Sequence, residues 1–303
     1  MRHLLLWVLL SVFSFQSYGA DKYTLEYKLE KGKTYKQHVV SDGIIAMSVM
    51  GQDMEMRMKS EIKLNYEITG QQNDLFDSRM SFQKMKMDMA GGPVAFTIDS
   101  DSPEKSFDKN IGEAVKAIIG IPVEIQFTKQ GKYKSVKGVD KLLAAFSEKL
   151  DAVDNPMLKQ QMGATLSGQF SDEAIKSMCE QYAYFPGKPV ALGDSWDVNM
   201  NLTSGGVNFQ TTMKLTLKQV ADNVATLDCT GLIATPEGGE VQKIQGMEAK
   251  INVNGIMSGI VRIDMKSGWT IASDLSQKFT MEFDMMGQKM TQQAEMKISM
   301  TAD

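Results

Sequence analysis

The chain has 303 residues, with 33 Lys and Arg against 37 Asp and Glu, which gives a formal net charge of −4 at pH 7. It contains no run of five basic residues, and this disfavours nucleic-acid binding, because that function needs clustered Lys and Arg. The length allows an ample hydrophobic core, in one domain or two.

The first 19 residues have the pattern of a secretory signal peptide. Arg2 supplies a positive start, an apolar run extends from Leu4 to Phe15, and Ser17 and Gly19 are the small residues that signal peptidase needs. The run is too short to span a bilayer, and no cysteine follows it to carry a lipid anchor. The alternative is a buried N-terminal helix. We predict a periplasmic or secreted protein without a transmembrane segment, whose residues 20–303 form a single β-rich domain.

Apolar and charged residues alternate between residues 54 and 68, with most apolar residues on even positions and most charges on odd ones. A period of two indicates a strand with one apolar and one solvated face, whereas helical spacing would scatter the charges around the cylinder. Such a strand is about 50 Å long at a rise near 3.3 Å per residue, so we expect a strongly curved sheet.

Turns and a change of phase bound the neighbouring strands. Met50-Gly51-Gln52-Asp53 is typical of a type II′ hairpin turn. Farther on, Met80 and Phe82 are even, but Met85, Met87 and Met89 are odd. This change predicts a β-bulge near Gln83 and Lys84, before Gly91-Gly92-Pro93 breaks the chain.

The middle of the chain, about residues 105–184, reads as a helical insert. We predict helices over 107–119, 139–150, 155–167 and 171–184, with a strand pair at 123–128 and 133–136. Alternation then returns over 207–217, 224–233, 251–265, 269–285 and 290–300. The last hairpin, Met285-Met286-Gly287-Gln288, resembles the first. We therefore expect one α+β fold: a long curved antiparallel β-sheet, a half-barrel or open barrel, with an inserted helical layer on its concave face.

Catalytic residue sets are scarce. His38 follows no nucleophile-elbow pattern and is typical of a solvated strand histidine. Asp194, in Gly-Asp-Ser-Trp, suits a turn before a strand that begins near Trp196. Asp99-Ser100-Asp101-Ser102 lacks the glycine and glutamate of a calcium loop. We predict no enzyme, no metal and no cofactor.

The two cysteines, Cys179 and Cys229, leave two alternatives open. In an oxidising compartment they could form a disulfide, worth about 4 kcal/mol on the entropic model. Otherwise they are two separate buried thiols, each packing as a small hydrophobe.

Methionine is unusually frequent, with 24 in the chain, and many align on predicted strand faces. They could be ordinary core, since methionine adapts to irregular gaps. They could instead line an adaptable cavity for a lipid or other apolar ligand. A third interpretation is a Cu(I) or Ag(I) site, but the His or Trp usually placed beside such thioethers is missing. The candidate ligand-lining residues are Met54, Met56, Met58, Met85, Met87, Met89, Met290 and Met296.

Two segments carry a family resemblance, Met50-Gly51-Gln52-Asp53-Met54 and residues 185–196, FPGKPVALGDSW. They resemble a domain-of-unknown-function family of exported Bacteroidota proteins. That family has no established activity, so the resemblance implies no functional residues. More distantly, long curved strands with inserted helices are similar to the half-barrels of periplasmic lipoprotein carriers and related lipid-binding proteins.

We therefore predict a non-enzymatic envelope protein that binds a hydrophobic or lipidic ligand between sheet and helices. The alternative is a structural or protein-interaction module of the envelope with a dry core. A weaker alternative is a carboxylate-dependent hydrolase, which would need two acids about 5–10 Å apart.

Overall fold

The structure, a computed structural model, describes residues 21–49, 52–91, 95–180, 185–204, 207–235, 241–244, 247–285 and 288–302. The predicted signal peptide lies outside the described residues, as do Met50-Gly51 and Met286-Gly287 of the two predicted turns. The strands and helices are β1 Lys22–Tyr23, β2 Thr34–Val49, β3 Gln52–Gln72, β4 Leu75–Ala90, β5 Phe96–Asp99, α1 Lys109–Ala117, β6 Val123–Thr128, β7 Tyr133–Lys137, α2 Val139–Leu150, α3 Pro156–Gln169, α4 Asp172–Glu180, β8 Val190–Ala191, β9 Ser195–Ser204, β10 Val207–Ala221, β11 Val224–Ala234, β12 Val241–Ile244, β13 Met247–Asp264, β14 Thr270–Met285 and β15 Gln288–Thr301.

Most of these strands form one large antiparallel sheet, in the order β7-β6-β4-β3-β2-β15-β14-β13-β11-β10-β9. β5 adds to the far end of β4, and β12 adds to β13. β15 pairs with β2, so the first and last long hairpins are neighbours. The prediction of one continuous antiparallel sheet is confirmed.

The predicted strand over residues 54–68 is confirmed as the central part of β3, and the period-two pattern sorts its side chains as expected. Leu64, Tyr66 and Ile68 are buried in the main core, and these three share one face. Charged residues such as Arg57 and Lys59 are exposed on the other face. We call the face that carries the core the inner face of the sheet, and the charged face the outer face.

The sheet is curved, and one helix connects its two edges. α4 contacts β7 at one edge and β9 at the other. These two edge strands do not pair with each other in the described part of the chain, so the sheet is not a closed barrel. All four α-helices fall within the predicted insert, and Phe170, between α3 and α4, meets Phe82 of β4 with ring centroids 5.6 Å apart. The helices therefore pack against the inner face.

An aromatic cluster closes the end of the sheet where β2 begins. The ring of Trp269 lies 5.0 Å from that of Tyr35, 5.4 Å from Tyr66 and 6.0 Å from Tyr27. The N-terminal segment crosses this end, since the Tyr27 backbone N–H donates to the Lys129 carbonyl at 2.8 Å. Gly268 has φ +72°, and a Cβ there would collide with the Glu26 carbonyl, so this crossing requires glycine.

Candidate functional site

The eight candidate methionines all lie on the inner face, toward the β2–β3 and β14–β15 hairpins. Directly opposite residues of antiparallel strands share a face. Met54 lies opposite Met47, and Met58 lies between Gly43 and Met89. We call the following set the methionine face: Met47, Met54, Met56, Met58, Met85, Met87, Met89, Met281, Met290 and Met296.

Every side chain of the methionine face is partly exposed. This distinguishes them from Met80, Met213 and Met300, which are buried at 0–2% exposure. Met85 packs against the main core and thus joins the two regions. An inner sheet face that keeps ten thioether side chains in partial contact with solvent offers a flexible apolar surface.

The predicted bulge in β4 brings three of these methionines to the inner face. Lys63 pairs with Lys84 and Leu64 pairs with Phe82, which leaves Gln83 as the extra residue. A single extra residue reverses the facing of every later side chain. Met85, Met87 and Met89 therefore face inward together with Phe82, and the prediction of a bulge near Gln83 and Lys84 is confirmed.

Charge is divided sharply between the two faces at this end of the sheet. Around the methionine face, the other described side chains that β2–β4 and β13–β15 place on the inner face are apolar, Gly, Ser or Gln. Ion pairs lie on the outer face: Lys278 meets Glu295 at 2.8 Å, and Lys84 meets Glu61 at 3.0 Å. The methionine face is therefore an uncharged surface.

In the described part of the chain, buried side chains pack between the helices and the sheet. Phe146 and Leu142 of α2, Ile111 of α1 and Phe76 of β4 are all fully buried in one core. The best-formed depressions in the described part are open to solvent. One, of about 500 Å³, lies near the β14–β15 hairpin and is lined mostly by polar outer-face residues such as Asn252, Glu282 and Lys289. The other, of about 320 Å³, is a polar hollow lined by residues such as Glu67 and Arg79.

His38 belongs to a polar network on the outer face. Its Nε2 lies 3.0 Å from Glu61 Oε1, and Lys84 Nζ lies 3.0 Å from Glu61 Oε2 and 3.6 Å from Asp101. Burial raises the pKa of Glu61, but the hydrogen bonds and charges of Lys84 and His38 outweigh it, so the pKa lies below its ordinary value. This arrangement ties β2, β3 and β4 together.

The other polar candidates have structural partners. The Asp194 carboxylate accepts from the Ala191 backbone N–H at 2.8 Å, which confirms the predicted turn before β9. In the Asp99–Ser102 loop, Ser100 Oγ accepts from the Met85 backbone N–H at 2.9 Å. The Asp101 backbone N–H donates to Asp99 Oδ1 at 2.9 Å. The described residues contain no group of three or more His, Cys, Asp or Glu side chains placed to hold a metal ion.

The two cysteines are not bonded to each other in the structure. Cys229 is buried on the inner face of β11, and its thiol donates to Met213 Sδ at 3.6 Å. Burial, with the neighbouring charge of Asp228, raises the pKa of Cys229 to about 11. Cys179, in α4, is partly exposed.

Two polar inner-face residues were not among the candidates predicted from the sequence. Gln277 lies opposite Met257 and Met296, and Gln292 lies opposite Met281 and Met47. Both side chains are partly exposed. Their positions could have revealed them, because each falls in step with the apolar residues of its alternating run.

The chain belongs to the family of unknown function DUF6263, whose model matches residues 73–270. This confirms the resemblance to a family without assigned function. No curated protein matches the chain significantly. No helix in the described ranges has both the length and the apolar character needed to cross a bilayer.

Several solved structures are similar at low identity. A structure of lipovitellin and its lipid–protein interactions matches with a TM-score of 0.45 and 8% identity over 90% of this chain. This chain spans 25% of the lipovitellin chain. OccK5 (OpdH) of Pseudomonas aeruginosa matches with a TM-score of 0.27 and 5% identity, over 90% of this chain and 99% of its own. DynF of Micromonospora chersina matches with a TM-score of 0.22 and 7% identity, over 94% of this chain and 86% of its own. At these TM-scores the similarities do not establish a shared fold.

Proposed function

We propose that this protein is a non-enzymatic binder of a hydrophobic or lipidic ligand, and that the ligand lies on the methionine face. The supporting observation is that ten partly exposed methionines share one uncharged inner face, while the outer face of the same strands carries the ion pairs. Thioether side chains are flexible and polarisable, so such a surface can repack around acyl chains of differing shape.

Because buried side chains pack between the helices and the sheet, we place the proposed site farther along the sheet, on the methionine face. A ligand between the helices and the sheet would have to displace fully buried side chains such as Phe146 and Phe170. The methionine face needs no such displacement, because its side chains already contact solvent. Covering it with an acyl chain removes apolar surface from water, at about 25 cal/mol per Å².

The test uses diphenylhexatriene, a hydrocarbon dye that fluoresces when it leaves water, with the full mature chain. We expect the dye to bind and to be displaced by extracted envelope lipid. The variant Met56→Glu should weaken dye binding by tenfold or more, because it places an unpaired charge on the apolar face. Ile44→Glu is the matched control, since Ile44 is 37% exposed on the outer face and lies beside the Met56–Ile45 pair.

A dye affinity that is the same in Met56→Glu, Ile44→Glu and the parent protein would overturn the proposal. Absence of any dye binding by the folded parent protein would do the same. Either result would favour the alternative of a structural or protein-interaction module.

A further inference from the structure

We infer that the ligand is an uncharged acyl lipid whose ester or amide carbonyl accepts a hydrogen bond from the side-chain amide of Gln277 or Gln292. The inference rests on the proposed function and names the chemical class of the ligand. It depends on two observations, the distribution of charge around the methionine face and the placement of two side-chain amides within it.

The charge distribution argues against an anionic headgroup. On the described strands around the methionine face, no Lys or Arg side chain shares the inner face with the methionines. The nearby cations Lys250 and Lys289 lie on the outer face, where they line a depression together with Glu282 and Asp284. A carboxylate or phosphate on the inner face would lose its water without gaining a cation, which is strongly unfavourable.

The two glutamines supply the polar contacts that an uncharged lipid can use. Each side chain offers two N–H donors and one acceptor oxygen. No hydrogen bond joins either amide to another residue in the described part of the chain, although each is surrounded by methionine across the strands. A ligand carbonyl would satisfy an N–H donor that otherwise depends on water.

The spacing of the two amides suits a ligand that lies along the strands. Gln292 is level with Met281, which is four residues from Gln277 along β14 and on the same face. Four residues of a strand span about 13 Å. An acyl chain can therefore lie over Met281 and Met296 while its carbonyl reaches one of the amides.

The first measurement compares matched ligands on the parent protein. Methyl laurate and laurate share one acyl chain and differ in charge, and each is titrated against bound diphenylhexatriene below its aggregation limit. We expect methyl laurate to displace the dye at a concentration at least about tenfold lower. Equal or stronger displacement by laurate would overturn the inference, while dye binding itself would still support the proposed function.

The second measurement tests the amides with a double variant, Gln277→Leu with Gln292→Leu. We expect its affinity for methyl laurate to fall about threefold to tenfold, and its affinity for the hydrocarbon dye to stay unchanged. Gln293→Leu is the control, since Gln293 is the exposed outer-face neighbour of Gln292. Unchanged methyl laurate binding in the folded double variant would overturn the assignment of the amides.

Discussion

Met296 of β15 lies directly opposite Gly43 of β2, and its Cγ is 3.0 Å from the point where a Cβ on Gly43 would lie. The same point is 3.0 Å from the Glu295 carbonyl, so backbone as well as side chain confines it. The missing side chain thus lets Met296 lie across β2 as part of the methionine face.

Gly43→Val should therefore destabilise the protein by about 1–3 kcal/mol, because the added side chain overpacks this contact. Urea denaturation measures the change. Ala46→Val on the exposed outer face of the same strand is the control, and it should stay within about 0.5 kcal/mol of the parent protein. Equal stability of the two variants would show that the contact with Met296 is loose.

Deletion of Gln83 should remove the bulge in β4. With that residue gone, either Met85, Met87 and Met89 turn outward or the pairing with β3 breaks. We expect a loss of more than about 3 kcal/mol in the free energy of unfolding, or failure to fold.

Gln83→Ala distinguishes the effect of the extra residue from the effect of the Gln83 side chain. This variant keeps the extra residue and loses the hydrogen bond from Gln83 Nε2 to Ser81 Oγ at 2.8 Å. Its cost should be about 1 kcal/mol. A deletion that is no more harmful than this substitution would mean that the bulge does not set the facing of the methionines.

Glu61 should contribute to the pH dependence of stability. Its pKa is lowered in the folded state, so its contribution is present above the ordinary value of 4.5 and is lost as the pH falls through the folded value. Glu61→Gln should cost up to about 1 kcal/mol at neutral pH and should flatten the fall of stability below that ordinary pKa. Denaturation curves across this range test it against Glu67→Gln, whose side chain is half exposed and 3.8 Å from Arg79.

The two thiols should react at different rates. Cys229 is buried with a pKa raised to about 11, so it is protonated at neutral pH and shielded from reagents. The partly exposed Cys179 should react first with Ellman's reagent, and Cys179→Ala should remove that phase. In unfolded, unreduced protein both thiols should react with the reagent. If neither reacted, the two cysteines would form the disulfide of the other alternative.

Local pattern was sufficient to predict the long strands, because alternation over many residues leaves little ambiguity between strand and helix. It also located the bulge, since the change of phase between Phe82 and Met85 is visible in the sequence. The short strands β5 and β12, with four residues each, were missed because their pairing depends on the neighbouring long strand. The contact of Tyr27 with Trp269 joins distant parts of the chain and leaves no local signal.

The candidate site was predictable in part. Parity placed Met54 and Met296 on one apolar face, but it could not show that they stay partly exposed while Met213 is fully buried. Exposure depends on which elements cover each end of the sheet, and Phe170, between α3 and α4, packs directly on Phe82. Periodicity predicts the face of the sheet on which a side chain lies, whereas its solvent exposure depends on the whole fold.

The pairing of β15 with β2 has a consequence for the order of folding, since it unites segments more than 240 residues apart. Until β15 has been synthesised, one edge of β2 and one edge of β14 lack a pairing strand. The unpaired backbone donors and acceptors of these long edges can pair with other chains and so promote aggregation. The newly made chain must therefore be protected from aggregation until β15 has paired. Deletion of β15 should yield insoluble protein instead of a smaller stable one.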